Sequence, residues 1–145
     1  MRKKYFDSGT REFGIKVPFR DVDMGGVVYH PYYLTYLEAG RDNWFSAFDI
    51  NLHALIKNNR YALVVSSLDV KYKSPAFLDD RLLLRTTLLK GSLASFEFTQ
   101  VIYRGETLLL EATTKVVGVY AHDFKPARLP AEAISLGEMP SLKSR

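Results

Sequence analysis

The chain has 145 residues, 47% of them hydrophobic and 25% charged, with a formal net charge of +4, the balance of one ordinary globular domain. It has no cysteine and only three histidines, His30, His53 and His122, which excludes thiol nucleophiles, disulfides and zinc–thiolate sites and leaves no closely spaced histidine pair for a metal. No basic run marks a nucleic-acid partner, no apolar run approaches the roughly 20 residues of a membrane span, and the basic start meets Asp7 and Arg11 before any signal-like apolar stretch. A soluble, cytoplasmic single domain over residues 1–145 is expected, with its core over about 12–121 and a tail over 122–145.

In residues 12–19 apolar and polar side chains nearly alternate, with Phe13, Ile15 and Val17 on one face, as in a half-buried strand. Pro18 marks its end or an edge. From Pro31 to about Phe48 the period becomes helical, and Tyr33, Leu37, Gly40, Trp44 and Phe48 form one stripe. Gly40 inside that stripe costs about 1 kcal/mol relative to alanine, which predicts close approach of the helix backbone to a sheet. After a polar connection over 51–60, residues 61–72 read as a strand with Val64, Leu68, Val70 and Tyr72 on one side, ended by Lys73-Ser74-Pro75.

Asp79-Asp80 opens a further strand through Lys90, and Gly91-Ser92 supplies a two-residue turn of the Gly-X type. Residues 93–103 return with Phe96, Phe98 and Ile102 on one face, and a turn at Arg104-Gly105 leads into 107–120, where Ala112, Thr114, Val116 and Gly118 oppose Val117 and Val119. The tail, with Pro126, Pro130 and Pro140, is loop with at most a short helix near 131–136. One strand, one helix and four antiparallel strands define an α+β fold, a five-stranded antiparallel sheet wrapped around one long central helix. Such a sheet keeps an open face and an edge, so self-association is expected.

The chemistry concentrates in residues 20–33, Arg-Asp-Val-Asp-Met-Gly-Gly-Val-Val-Tyr-His-Pro-Tyr-Tyr. Asp21 and Asp23 offer carboxylates, Gly25 and Gly26 allow backbone conformations that a Cβ forbids, and Pro31 suits a helix start. A calcium loop fails because Gly25 and Tyr32 stand where an Asp or Asn and a bidentate Glu are needed. A phosphate loop fails because no Lys-Ser/Thr follows the glycines.

The pattern Asp21-x-Asp23-x-x-Gly26-Val27-Val28-Tyr29-His30-x-x-Tyr33, with Tyr36-x-Glu38-x-x-Arg41, resembles the 4-hydroxybenzoyl-CoA thioesterase family, in the acyl-CoA thioesterase branch of the hotdog-fold enzymes. Tyr72-x-x-Pro75-Ala76 with Asp80, the hairpin over 91–98 and the tail Lys125-Pro126-Ala127-Arg128-Leu129-Pro130 fall in the same order, so the resemblance spans about 12–130. It implies hydrolysis of a thioester to a free acid and coenzyme A without metal or redox cofactor, at sites built in a homodimer or a dimer-of-dimers tetramer. It also implies that Asp23 is the catalytic carboxylate, as nucleophile or general base, and that the backbone N–H of His30 polarises the carbonyl.

A carboxylate is a weak base at neutral pH, which favours attack through a mixed anhydride. Asp21 is expected to shape the loop, Tyr29 to form a wall beside the substrate, and Gly26 to bring the backbone close to it. Glu38 is the secondary candidate, because some hotdog thioesterases carry their acid on the helix. It lies seven residues past Pro31, about 10 Å of helix rise, and an i,i+3 pair with Arg41 is its expected role. Lys71, Lys73, Arg85, Lys90 and Arg128 are candidates for the coenzyme A phosphates, with Lys90 favoured beside its turn. The alternatives are an acyl-carrier-protein thioesterase and a non-catalytic acyl-CoA-binding module. A hotdog dehydratase fits less well, since Pro-Tyr-Tyr follows His30 in place of Phe-Pro-Gly.

Overall fold

The computed structural model describes residues 9–47 and 60–129. Strand β1 (Thr10–Lys16) leads through a 3-10 turn (Phe19–Asp21) and a loop to helix α1 (Tyr32–Ala47), followed by β2 (Tyr61–Tyr72), β3 (Arg81–Gly91), β4 (Ser95–Arg104) and β5 (Thr107–Tyr120). All pairings are antiparallel, and the strand order is β1-β3-β4-β5-β2. The local hairpins β3–β4–β5 form the expected meander, with β1 and β2 added at its two edges. The arrangement is a hotdog fold.

Helix α1 buries Tyr33, Tyr36, Leu37, Gly40, Arg41, Trp44 and Phe45 against the sheet. At Gly40 the approach is as close as the sequence predicts: a Cβ there would stand 2.9 Å from Thr86 Oγ1, 3.0 Å from Gln100 Nε2 and 3.2 Å from Leu84 Cδ2. The missing side chain makes room for a polar layer. Gln100 Nε2 donates to Leu37 O and to Thr86 Oγ1, each at 2.9 Å, while its Oε1 accepts from Arg41 Nη1 at 3.2 Å. Arginine can only donate, so this bond fixes which way the amide faces.

That layer divides the core in two. Toward the helix start, Tyr33, Leu37, Leu84, Ile102 and Leu110 pack together; toward its end, Trp44, Phe45, Phe96, Phe98 and Leu129 do so.

Several local expectations change. The β2–β5 register shifts between Val65 and Ser67, and one extra residue reverses the alternation of a strand. Val64 therefore sits opposite Val117, on the other face from Leu68 opposite Thr114. The β3–β4 connection runs over Ser92, Leu93 and Ala94 and does not turn at Gly91-Ser92: Ser92 N donates to Ser95 O at 2.8 Å, and the Ser92 hydroxyl accepts the N–H groups of Ala94 and Ser95 at 3.0 and 3.1 Å. A Gly-X turn is instead found at Gly105-Glu106, where Gly105 has φ +59 between paired Arg104 and Thr107.

The packed body also extends past residue 121: Ala127 N donates to Gly118 O at 3.0 Å and Leu129 N to Leu93 O at 2.7 Å. Leu129 fills the space over Gly118, where a Cβ would meet Ala127 O at 2.8 Å. Phe48, His53, the connection over 51–59, Pro130, Pro140 and the expected helix near 131–136 lie outside the described residues.

Candidate active site

Between the 3-10 turn and α1 the chain folds into a miniature hairpin. Val22 bridges Val28, Asp23 N donates to Val27 O at 2.9 Å, and Gly26 N returns to Asp23 O at 3.0 Å. Gly26 has φ +80, a left-handed conformation that glycine adopts without steric cost. The Asp23 carboxylate is exposed at the tip, and its Oδ1 accepts the Gly25 N–H at 2.9 Å. This local bond holds the side chain over its own turn.

The hairpin leans on a strap that follows β2. Val28 N donates to Ala76 O at 2.9 Å and Leu78 N to Gly26 O at 3.1 Å. Asp80 Oδ2 secures the strap by accepting both Phe77 N–H and Arg104 Nη1 at 2.8 Å, and Arg104 also donates to Pro75 O at 3.0 Å. The residues Pro75, Ala76 and Asp80 singled out in the sequence thus shape the support of the loop.

A count of backbone donors at the helix opening isolates one group. Tyr29 N donates to Asp21 O at 3.0 Å, Tyr32 N to Tyr29 O at 2.9 Å, Tyr33 N to His30 O at 3.2 Å and Leu34 N to Pro31 O at 3.1 Å. Pro31 has no N–H. Within residues 29–34 only the His30 N–H has no acceptor among the described residues. It stands at the end of α1 where the peptide dipoles place partial positive charge.

Aromatic rings enclose this opening. The His30 ring meets the edge of Tyr29 at 5.3 Å and of Tyr72 at 6.2 Å, and Tyr29 meets Tyr32 at 6.3 Å. Tyr29 and His30 are exposed, so their rings form a wall that a ligand can reach.

The two loop acids have opposite surroundings. Asp23 faces outward, whereas Asp21 is 4% exposed and its Oδ2 accepts the Tyr36 hydroxyl at 2.6 Å. Burial first, and then the bond to Asp21, push the Tyr36 phenol well above its ordinary pKa. One turn earlier the Tyr33 hydroxyl accepts the Ala76 N–H at 2.9 Å, and burial raises that phenol as well. The sequence reading placed Tyr33 on the helix stripe and Tyr36 in the motif without assigning either a hydrogen bond; the available signal was two tyrosines at i,i+3 beside an acid-rich loop.

Other candidates are placed elsewhere. Glu38 is exposed on α1, and Arg41 does not turn to it. The Arg41 guanidinium enters the polar layer, 9% exposed, where burial lowers its pKa against the opposing fields of Glu38 and Asp42.

Lys90 lies near the far end of β3, opposite Glu97, whereas the loop is joined to the beginning of β3 through Val17 N to Asp80 O at 2.9 Å. Nine residues of strand separate Arg81 from Lys90, about 30 Å, so one chain does not bring Lys90 to Asp23. Arg85 is engaged by Glu12 at 2.7 Å and lies over the Tyr103 ring at 5.4 Å. Lys71, Lys73 and Arg128 are exposed. Among the described residues no three or more His, Asp or Glu side chains converge as metal ligands, and no helix is long and apolar enough to cross a membrane.

A five-stranded antiparallel sheet wrapped on one helix is the architecture of the hotdog thioesterases. The profile of the Thioesterase-like superfamily matches residues 17–136. Acyl-CoA thioesterase YbgC of Haemophilus influenzae is 33% identical over 120 residues, covering 83% of this chain and 88% of that protein. Acyl-CoA thioester hydrolase YbgC of Escherichia coli is 37% identical over 122 residues, covering 83% and 90%. Among solved structures, a probable thioesterase from Bartonella henselae superposes with a TM-score of 0.77 at 29% identity, covering 83% of this chain and 99% of that one. The chain belongs to the Thioesterase-like superfamily, and it is a thioester hydrolase.

Proposed function

We propose that this protein hydrolyses acyl-CoA thioesters, with Asp23 as the reacting carboxylate and the His30 N–H as the donor to the carbonyl oxygen. The observation that carries this reading is the pairing, on one loop, of an exposed carboxylate with the single unoccupied amide of the helix opening. The names of the YbgC relatives support coenzyme A as the carrier.

In the proposed reaction a carboxylate oxygen of Asp23 attacks the thioester carbon, and the negative charge on the carbonyl oxygen is met by the His30 N–H and the helix dipole. Collapse expels the coenzyme A thiolate, which takes up a proton, and leaves a mixed anhydride. Water opens the anhydride, releasing the carboxylic acid and restoring Asp23. Every step uses groups of the chain and water, so the reading calls for no metal or redox cofactor. A cytoplasmic setting is part of it.

A homodimer is also part of the reading. Strand β2 forms one edge of the sheet, and on its inner face Val65, Leu68 and Tyr72 are 49%, 40% and 49% exposed. An edge with such apolar side chains suits pairing with a second copy. The partner is also the route by which a basic residue such as Lys90 comes within reach of the loop.

Purified protein is assayed for thiol release on aromatic, short and long aliphatic acyl-CoAs, and on the same acyl groups carried by an acyl carrier protein. Turnover is expected on acyl-CoAs. Asp23→Asn should lower kcat by about 10³-fold or more, as removal of a nucleophile does, without shifting Tm. Near-normal turnover by Asp23→Asn sinks the assignment, loss confined to Glu38→Gln moves the role to the helix, and binding without turnover across the panel identifies a non-catalytic module.

A further inference from the structure

We propose that Asp21 and Tyr36 are a positioning pair: their buried hydrogen bond fixes the hairpin of residues 22–28 on α1 and thereby sets Asp23 and the His30 N–H relative to one another. This rests on the reading of Asp23 as the reacting acid.

Asp21 connects three parts of the chain. Its N–H donates to Pro18 O at 3.1 Å, its carbonyl accepts Tyr29 N–H at 3.0 Å, and its Oδ2 accepts the Tyr36 hydroxyl at 2.6 Å. The residue stands two positions before Asp23, and Tyr29 stands one before His30, so Asp21 ties both reacting groups to the same point of α1. A side chain that is 4% exposed has no access to substrate. The nearest cation, Arg20 Nε at 3.7 Å from Oδ1, belongs to an exposed side chain. Tyr36 therefore supplies the close donor that a buried carboxylate requires.

Tyr36 is itself fixed by packing, at 4% exposure and with its ring 6.0 Å from that of Tyr33. Tyr33 in turn accepts the Ala76 N–H from the strap that supports the other side of the hairpin. Two hydroxyls one helical turn apart thus hold the loop and its support to a single rigid element. Small displacements in such a site are costly, since a misplacement of about 1 Å can lower a rate by about 10²-fold.

The test compares wild type with Asp21→Asn, Asp21→Ala, Tyr36→Phe and the Asp21→Ala/Tyr36→Phe double variant, each well below its own Tm. Asp21→Ala and Tyr36→Phe should each lower kcat by about 10- to 100-fold and change KM by less than about threefold. The double variant should be no worse than the poorer single one, because the two residues act as a unit. Asp21→Asn keeps an acceptor for Tyr36 and should stay within about fivefold of wild type.

Amide exchange of residues 22–30 supplies a readout independent of turnover. It should rise by about tenfold or more in Asp21→Ala and Tyr36→Phe, and not in Asp21→Asn. Asp21→Asn as inactive as Asp23→Asn would overturn the proposal by placing Asp21 in the chemistry. Unchanged kcat and exchange in Tyr36→Phe would overturn it as well. An active Asp23→Asn defeats the catalytic reading instead, and the exchange comparison then decides whether the pair holds the loop.

Discussion

The two ends of helix α1 are held in the fold by different forces. At the start, tyrosine hydroxyls and backbone amides make directional bonds, Tyr36 to Asp21 at 2.6 Å and Ala76 to Tyr33 at 2.9 Å. At the end, rings pack edge to face, Trp44 on Phe98 at 5.3 Å and Phe45 on Phe96 at 5.1 Å. Apolar burial is strong and non-directional, so it stabilises a helix without aiming it; hydrogen bonds contribute less net energy but fix angle and register. Beside the proposed chemistry the apolar cluster is joined by two buried tyrosine hydroxyl bonds, whereas ring packing dominates the far end, with one directional bond from Trp44 Nε1 to Gly9 O at 2.7 Å.

The widest test of that division is Phe98→Ala. It removes a fully buried ring that touches Trp44 and Phe45, and the expected loss is about 3–5 kcal/mol of stability, read as a lower denaturant midpoint. The specific activity of the folded fraction should stay near that of wild type. A folded variant that loses turnover would show that the aromatic end also aims the loop.

Gly40→Ala acts at the boundary. Alanine favours a helix by about 1 kcal/mol over glycine, but its Cβ would lie 2.9 Å from Thr86 Oγ1 and 3.0 Å from Gln100 Nε2. Overpacking of this kind costs about 1–3 kcal/mol, so a small net destabilisation is expected in thermal unfolding. A more stable variant would show that the polar layer yields, and that the two halves of the core are less sharply divided.

What the sequence revealed follows the same division between local and distant determinants. The helix stripe and the strand at 61–72 were legible because periodicity is local, and Gly40 announced its close approach by being costly where it stands. The bulge near Ser66 was not legible, since Val64-Val65-Ser66-Ser67 carries no glycine or proline to mark a break. Arg41 misled because its obvious partner, Glu38, is three residues away, while its actual one, Gln100, is 59 residues away. In the site, the resemblance supplied Asp23 and the His30 amide. The Asp21–Tyr36 bond spans 15 residues and needs the loop to fold back on the helix before it can be seen.

The smallest expected effect is a pH dependence that reports on the directional end alone. Burial raises Tyr36, and the Asp21 carboxylate raises it further, so the folded phenol keeps its proton at pH values where an unfolded tyrosine, ordinarily near 10, begins to lose it. Above that value the unfolded chain binds fewer protons than the folded one, and stability falls as pH rises. This contribution is fully present below about pH 10 and is lost progressively above it. Tyr36→Phe removes the proton difference, so its Tm should be lower than wild type at neutral pH but should fall less steeply between about pH 10 and pH 11.5. Tyr33, raised mainly by burial, leaves part of the slope in place. Parallel alkaline slopes for the two proteins would mean that the Tyr36 hydroxyl is not held against Asp21 in solution, and the contrast between the two ends of α1 would lose its strongest directional contact.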